Sequence, residues 1–329
     1  MQPWHLLTIA FLVSAVDAFN QPARYALFPH LIERKALTSA VALNSSIWQG
    51  TRIVAPAVAG GIIALTDTAA SFYLAGLGYV VMATVIYRLK VPHIEQGASG
   101  SALWGILEGL GFIRKNSIFS FLMGMTFFNS FFGMSYVIMM PVFAVDILQV
   151  GAQGQGLLLS ISGLGALLTT LWLGSRSNVR HKGLLMIGGA VMFGLLIAAF
   201  GITSRFIGSF PLALAIVFLV GIFNSTYMIN VQSSLQTLVP DRMRGRVMDF
   251  FGMTWSVMPL GGLQAGALAS VITAPLAVAV GGLAVATFAI GPALANRKVR
   301  NVGGLLSQVE AATATGRPSP RLTSSPADN

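Results

Sequence analysis

Long apolar runs, broken by short polar stretches, pattern almost the whole chain. A helix needs ~20 apolar residues to cross the hydrocarbon core of a bilayer. By that measure nine spans are predicted, at about 4–28, 37–66, 69–88, 117–145, 154–175, 183–203, 210–236, 246–270 and 273–294. The second and eighth are the weakest. Their first halves, SAVALNSSIWQGTR and VMDFFGMTWSV, are only mildly apolar. That suits helices whose ends border water or protein rather than lipid.

The polar stretches organise the spans. Residues 89–116 form the longest internal connection. Within it VPHIEQGASG is polar, and SALWGILEGLGFIRKN places Leu103, Trp104, Leu107 and Leu110 at helical spacing before Arg114 and Lys115. This fits a short interfacial helix with a basic anchor, and equally an ordinary helix packed on the bundle. The end of the chain is rich in Thr, Ser and Pro and predicts a disordered tail. The expected organisation is three spans in 1–88, a central cytoplasmic connection at 89–116, six spans in 117–297 and a cytoplasmic tail at 298–329.

Composition narrows the class. Charged residues make up 9% of the chain, against ~25% in an average soluble domain. An all-α integral membrane protein is implied. The net charge of +10 could suggest nucleic acid, but the basic residues sit in short loops between apolar runs. Nucleic acid is therefore not an expected partner; the lipid bilayer is. There is no cysteine, which excludes disulfide and thiol chemistry. No Gly-Lys pair occurs, so the chain has no phosphate-binding loop and no ATPase of its own. His5, His30, His93 and His181 lack metal-ligand spacing. No metal, cofactor or enzymatic constellation is expected.

Charge also orients the spans. Of the 20 Lys and Arg residues, 18 fall in alternate connections or in the C-terminal segment, Arg205 lies on the opposite side, and Arg52 lies within a span. Short loops rich in Lys and Arg stay cytoplasmic. The C-terminus is then inside, and an odd number of spans puts Met1 outside.

Two stretches echo each other. FNQPARYALFPHLI…TRIVAPAVAGG is matched by FNSTYMINVQSSLQTLVPD…WSVMPLGGLQAG, with Phe223-Asn224 lying 204 residues after Phe19-Asn20 and Pro259 lying 203 after Pro56. A long-period repeat in an apolar chain points to a two-fold-repeated transporter. With a six-helix repeat, the span at 4–28 corresponds to that at 210–236. About three further helices are then expected ahead of Met1, making 1–88 a truncated first half.

These motifs resemble the major facilitator superfamily, and within it the enterobactin-exporter-like efflux branch. QPARYALFPHLI resembles the end of that branch's fourth helix, and ALNSSIWQGTRIVAPAVAGG its fifth helix with the antiporter motif. LVPDRMRGRV is similar to the basic loop before the eleventh helix, and MPLGGLQAGALA to that helix itself. Ala55 and Ala59 stand where the antiporter motif has glycine, and Asn178 where a basic loop motif has aspartate. The resemblance implies a helical bundle in the bacterial inner membrane. It implies secondary transport, by alternating access and proton exchange, of a small siderophore- or drug-like molecule. A monomer is expected. The alternatives are an inactive fragment of such a transporter and a membrane subunit of a larger transport complex.

Candidate residues follow from position. Asp17, Asn20, Gln21 and Arg24 share one helical face. Asp17 lies ~20 Å along its helix from Trp4, deep in the apolar zone, where a charge must face a cavity or a partner. It is a proton-carrier candidate with Arg24 and Arg52, or else a structural ion pair with one of them. Arg52 could equally hold an anionic solute or cap helix carbonyls. Candidates for the solute cavity are Asn20, Gln21, Phe128, Asn129, Phe132, Tyr136, Asn224, Tyr227 and Asn230. Aromatic walls with a few amides suit a bulky amphipathic molecule. Pro56, Gly60, Gly61, Pro259, Gly261 and Gly262 are candidates for bending and close helix packing. Asp241, Arg242, Arg244 and Arg246 form a candidate gating and lipid-anchoring loop.

Overall fold

The computed structural model describes residues 4, 8–9, 11–16, 20, 47, 50–51, 54–56, 58–63, 65–88, 102–174, 182–295 and 304. Among the described residues every regular element is helical. The helices are α1 (Thr68–Arg88), α2 (Ala102–Lys115), α3 (Ser117–Phe128), α4 (Ser135–Val142), α5 (Gly151–Gly174), α6 (Lys182–Phe206), α7 (Phe210–Leu238), α8 (Asp241–Trp255), α9 (Met258–Ile272) and α10 (Ala274–Ala295). Residues 8–9, 11–16, 54–56 and 58–63 are also helical; the rest of the first two predicted spans lies largely outside the described residues.

Among the described residues, 7 helical stretches are long and apolar enough to cross a membrane: Ala69–Arg88, Ser117–Ile147, Gly151–Leu173, Gly183–Phe206, Phe210–Leu238, Gly245–Ile272 and Ala274–Gly291. They coincide with the third to ninth predicted spans. The chain is an all-α, multi-pass membrane bundle. It divides into two compact units, Met1–Gly50 with Phe72–Ala98, and Thr51–Ser71 with Ser99–Asn329. The last six stretches all belong to the second unit.

The first span of this six-helix set is not a uniform α-helix. Asn116 starts it, its Oδ1 accepting a hydrogen bond from the Ile118 amide at 3.0 Å. After α3 comes a π-helical segment, Asn129–Gly133, then α4, then a second π segment, Phe143–Ile147. The Met134 amide donates to the Asn129 carbonyl at 2.7 Å, the i to i+5 bond that defines a π turn. Pro141 sits inside α4 just before the second segment and removes one helical donor.

The eighth predicted span is two helices joined at Ser256–Val257. Sequence alone places the disruption at Pro259. The structure places Pro259 in the first turn of α9, where a missing amide donor costs nothing. The break therefore precedes the proline and separates two helices.

Lipid offers helices no hydrophobic drive to associate, so small residues that permit close approach mark their contacts. Where α6 crosses α10, Gly194 and Gly282 face each other, and a Cβ on either would collide with the other's carbonyl oxygen. Two apolar layers fill the interior. One holds Phe119, Leu122, Met186, Tyr227 and Val247; the other holds Met140, Phe143, Phe193, Phe200 and Val217. Leu171, Leu184, Leu263, Val271 and Leu283 are exposed and coat the outside with hydrocarbon, as lipid requires.

Helix α2 packs against α8 and α3. Glu108 forms an ion pair with Arg246 of α8. A Cβ at Gly109 would lie 3.3 Å from both Arg246 Cβ and the Phe250 ring. Phe112 stacks on Phe119 of α3, with centroids 5.2 Å apart.

Candidate functional site

The buried amides of the second unit lie in the first π segment and on α7. Asn129 opens the π segment and is fully buried. Its Nδ2 donates to Met228 Sδ of α7 at 3.8 Å, and its Oδ1 has no hydrogen-bond partner. A thioether is a weak acceptor. On α7, Asn224, Tyr227 and Asn230 are all buried. Asn230 Nδ2 donates to the Thr226 carbonyl at 2.7 Å, and Ser234 Oγ donates to the Asn230 carbonyl at 2.6 Å. Asn224 Oδ1 and Tyr227 Oη have no hydrogen-bond partner. Tyr136 of α4 is buried too, with its hydroxyl 3.3 Å from Ser162 Oγ of α5.

An aromatic wall flanks these groups. Phe128 and Phe132, both half-buried, meet at 5.3 Å, and Phe127 stacks on Phe131 at 5.6 Å. The spacing of four residues places each pair on one helical face. Phe128 also stacks on Phe288 of α10, with centroids 4.0 Å apart and planes 14° from parallel. The gap lined by Met125, Phe128, Ala190, Val285, Phe288 and Ala289 has no room for a water molecule. Phe288 was not evident as part of this wall from the sequence, because its partner is 160 residues away.

The proline and glycine candidates take different positions. A Cβ on Gly60 would lie 2.7 Å from the Ala152 carbonyl oxygen and 3.1 Å from Gly156 Cα of α5. One on Gly156 would lie 2.5 Å from the Pro56 carbonyl oxygen. The backbone at Pro56 and at Gly60 thus lies directly on α5. Gly61 faces open space. At the start of α9, a Cβ on Gly261 would collide with the Phe131 carbonyl of the π segment, and one on Gly262 would press on Ile138. The π segment packs against α9 and α10.

Asn20 is helical and half-buried. Asp17, Gln21, Arg24 and Arg52 lie outside the described residues. Asp241, Arg242 and Arg244 occupy the first turn of α8 by backbone position. Arg246, one turn further, turns to Glu108 of α2, a partner the sequence did not reveal. No cluster of three or more His, Asp or Glu able to hold a metal occurs among the described residues. None of the buried described residues is charged, so the interior of the second unit offers hydrogen bonds and aromatic faces.

A sequence profile of the transmembrane secretion effector family matches residues 1–309. The chain is 25% identical over 264 residues to the staphyloferrin A transporter of Staphylococcus aureus (strain NCTC 8325 / PS 47), a match covering 78% of this chain and 64% of that protein. It is 24% identical over 268 residues to macrolide efflux protein A of Enterococcus faecalis, covering 78% of this chain and 80% of that protein. The macrolide efflux protein A of Streptococcus pyogenes is also 24% identical, with 64% of its length covered. The chain thus spans 64% of the length of the staphyloferrin A transporter.

Proposed function

The chain belongs to the transmembrane secretion effector family of the major facilitator superfamily, and from that premise we propose that it exports a small organic solute by proton-driven alternating access. Proteins of this family are membrane transporters and not enzymes. The observation that carries the reading is the match along residues 1–309, which runs through all nine predicted spans. The relatives' names specify staphyloferrin A and macrolides. A bulky drug- or siderophore-like molecule suits the uncharged, aromatic and amide-bearing interior of the second unit.

In this reading Asp17, Arg24 and Arg52 exchange the proton. Asn20 and Gln21 are proposed as solute contacts, as are Phe128, Asn129, Phe132, Tyr136, Asn224, Tyr227 and Asn230. The contacts of Gly60 and Gly261 with neighbouring backbone support a role in helix packing. Gly262 packs on Ile138 in the same way, and Pro56, Gly61 and Pro259 serve as bending positions. Asp241, Arg242, Arg244 and Arg246 form the cytoplasmic gate. The protein works as a monomer in the bacterial inner membrane with its C-terminus inside.

The test is uptake of a labelled macrolide into inverted membrane vesicles bearing the protein. Accumulation that needs a proton gradient and stops on adding a protonophore is expected. Accumulation equal to that of vesicles lacking the protein would reject the reading.

A further inference from the structure

Two sets of contacts hold the helix on either side of the first π segment. Ahead of it, Phe121, Gly124 and Phe128 share one face of α3. The Phe288 ring of α10 lies along that face. Its centroid is 6.2 Å from that of Phe121 and 4.0 Å from that of Phe128, with planes 18° and 14° from parallel. Between those two rings, a Cβ on Gly124 would lie 2.5 Å from Phe288 Cζ. The absence of that Cβ lets the ring rest on the helix backbone.

Beyond Asn129 other contacts take over. The Phe131 carbonyl lies against Gly261 of α9. A Cβ on Gly281 of α10 would lie 2.8 Å from the Phe132 carbonyl oxygen, and one on Gly133 would lie 2.8 Å from the Phe193 ring of α6. Ser135 Oγ also donates to the Phe132 carbonyl, at 2.6 Å.

Each residue of an α-helix advances the side chains by ~100°. A π turn carries one extra residue, so it absorbs a phase difference between the helix before it and the helix after it. The helix cannot become regular while both sets of contacts stand. The two sets differ in stiffness. At Gly261 and Gly281 backbone meets backbone, and no side chain can swing aside. At Gly124 the contact is one aromatic ring on a glycine, and a ring can turn away. Phe288 is therefore the end that can let go.

We infer that Phe288 is a positioning residue: it holds the π turn at Asn129, and its withdrawal from Gly124 lets the turn migrate into α3. A migrating π turn re-aims each side chain it passes, here Phe128 and Met125, by ~100° about the helix axis. The contacts of Phe131 and Phe132 stay in place. The register of the helix rests on these contacts alone; only its consequence for a solute at Phe128 rests on the export reading.

Hydrogen exchange of the full chain in detergent, read by mass spectrometry at residues 129–134 and 143–147, tests the role of Phe288. The second π segment, Phe143–Ile147, is the internal control, because Phe143 belongs to the other apolar layer. Two variants attack the same contact from opposite sides. Phe288→Leu removes the ring and keeps apolar bulk; Gly124→Ala places a Cβ where the ring lies. Each is expected to speed exchange at 129–134 by up to about tenfold, as losing one aromatic pair allows. Exchange at 143–147 should keep the unmodified rate. The double variant should exceed the larger single effect little, since both changes break one contact. Exchange at 129–134 that stays at the unmodified rate in both single variants would overturn the proposal. So would equal acceleration at the two π segments, which would make Phe288 an ordinary packing residue. No transport enters the readout, so its outcome is separate from that of the export test.

Discussion

Arg205 donates a hydrogen bond from Nη1 to Thr273 Oγ1 at 3.1 Å, tying the end of α6 to the turn between α9 and α10. Thr273 has φ 107° and ψ 149°. A β-branched residue almost never adopts such a conformation, and a strained backbone of this kind costs ~1–3 kcal/mol. The neighbouring packing leaves the turn little choice. A Cβ on Gly201 of α6 would collide with the Pro275 carbonyl, so α6 and the start of α10 are already in backbone contact.

Replacing Thr273 with glycine removes the side chain that objects to this backbone. The relief outweighs the ~0.5–1 kcal/mol that glycine's extra freedom in the unfolded chain costs. The Thr273→Gly protein is expected to melt at a higher temperature in detergent, and Arg205→Ala at a slightly lower one. A lower melting temperature for Thr273→Gly would show that the turn is not strained.

The Glu108–Arg246 pair joins the connecting helix α2 to α8 with side chains 50% and 39% exposed. Exposed pairs couple by ~0.2–1 kcal/mol and weaken as salt is added. A double-mutant cycle with Glu108→Gln and Arg246→Gln is expected to give a coupling in that range at low salt. The coupling should shrink at high salt. A salt-independent or zero coupling would mean that α2 is held by its apolar contacts alone, through Phe112 and Ile113.

Gly60 and Gly61 are sequence neighbours with opposite surroundings. Overpacking a tight contact costs ~1–3 kcal/mol, and a Cβ on Gly60 would lie 2.7 Å from a backbone oxygen of α5. Gly60→Ala is therefore expected to lower thermal stability by about that amount. Gly61→Ala, which meets nothing within 4 Å, should not lower it and should raise it by up to ~1 kcal/mol. Equal effects at the two positions would contradict the placement of Pro56 and Gly60 on α5.

The spans were legible because a bilayer imposes a length and an apolar composition that few other structures share. The third to ninth predicted spans therefore match described helices within a few residues. The two π segments were not legible. An inserted residue leaves the apolar run from Ser117 to Ile147 unbroken in composition and changes only which side chains face inward. The break at Ser256–Val257 was visible only through Pro259, and a proline marks a helix start as readily as a kink. At the site, residue types were readable from Asn129, Tyr136, Asn224, Tyr227 and Asn230. Their partners Ser162, Met228 and Phe288 were not, since each comes from a helix distant in sequence. Glu108 was hidden in the same way, because its pairing depends on how α2 lies on α8.

The account centres on proton-driven export with Asp17 as the proton carrier. The most direct measurement compares the unmodified protein with Asp17→Asn in proteoliposomes, using a labelled macrolide in two assays. One follows accumulation driven by an imposed proton gradient. The other follows solute-for-solute exchange with no gradient. The account predicts that Asp17→Asn abolishes gradient-driven accumulation and retains exchange. Gradient-driven accumulation at the unmodified rate in Asp17→Asn would contradict it.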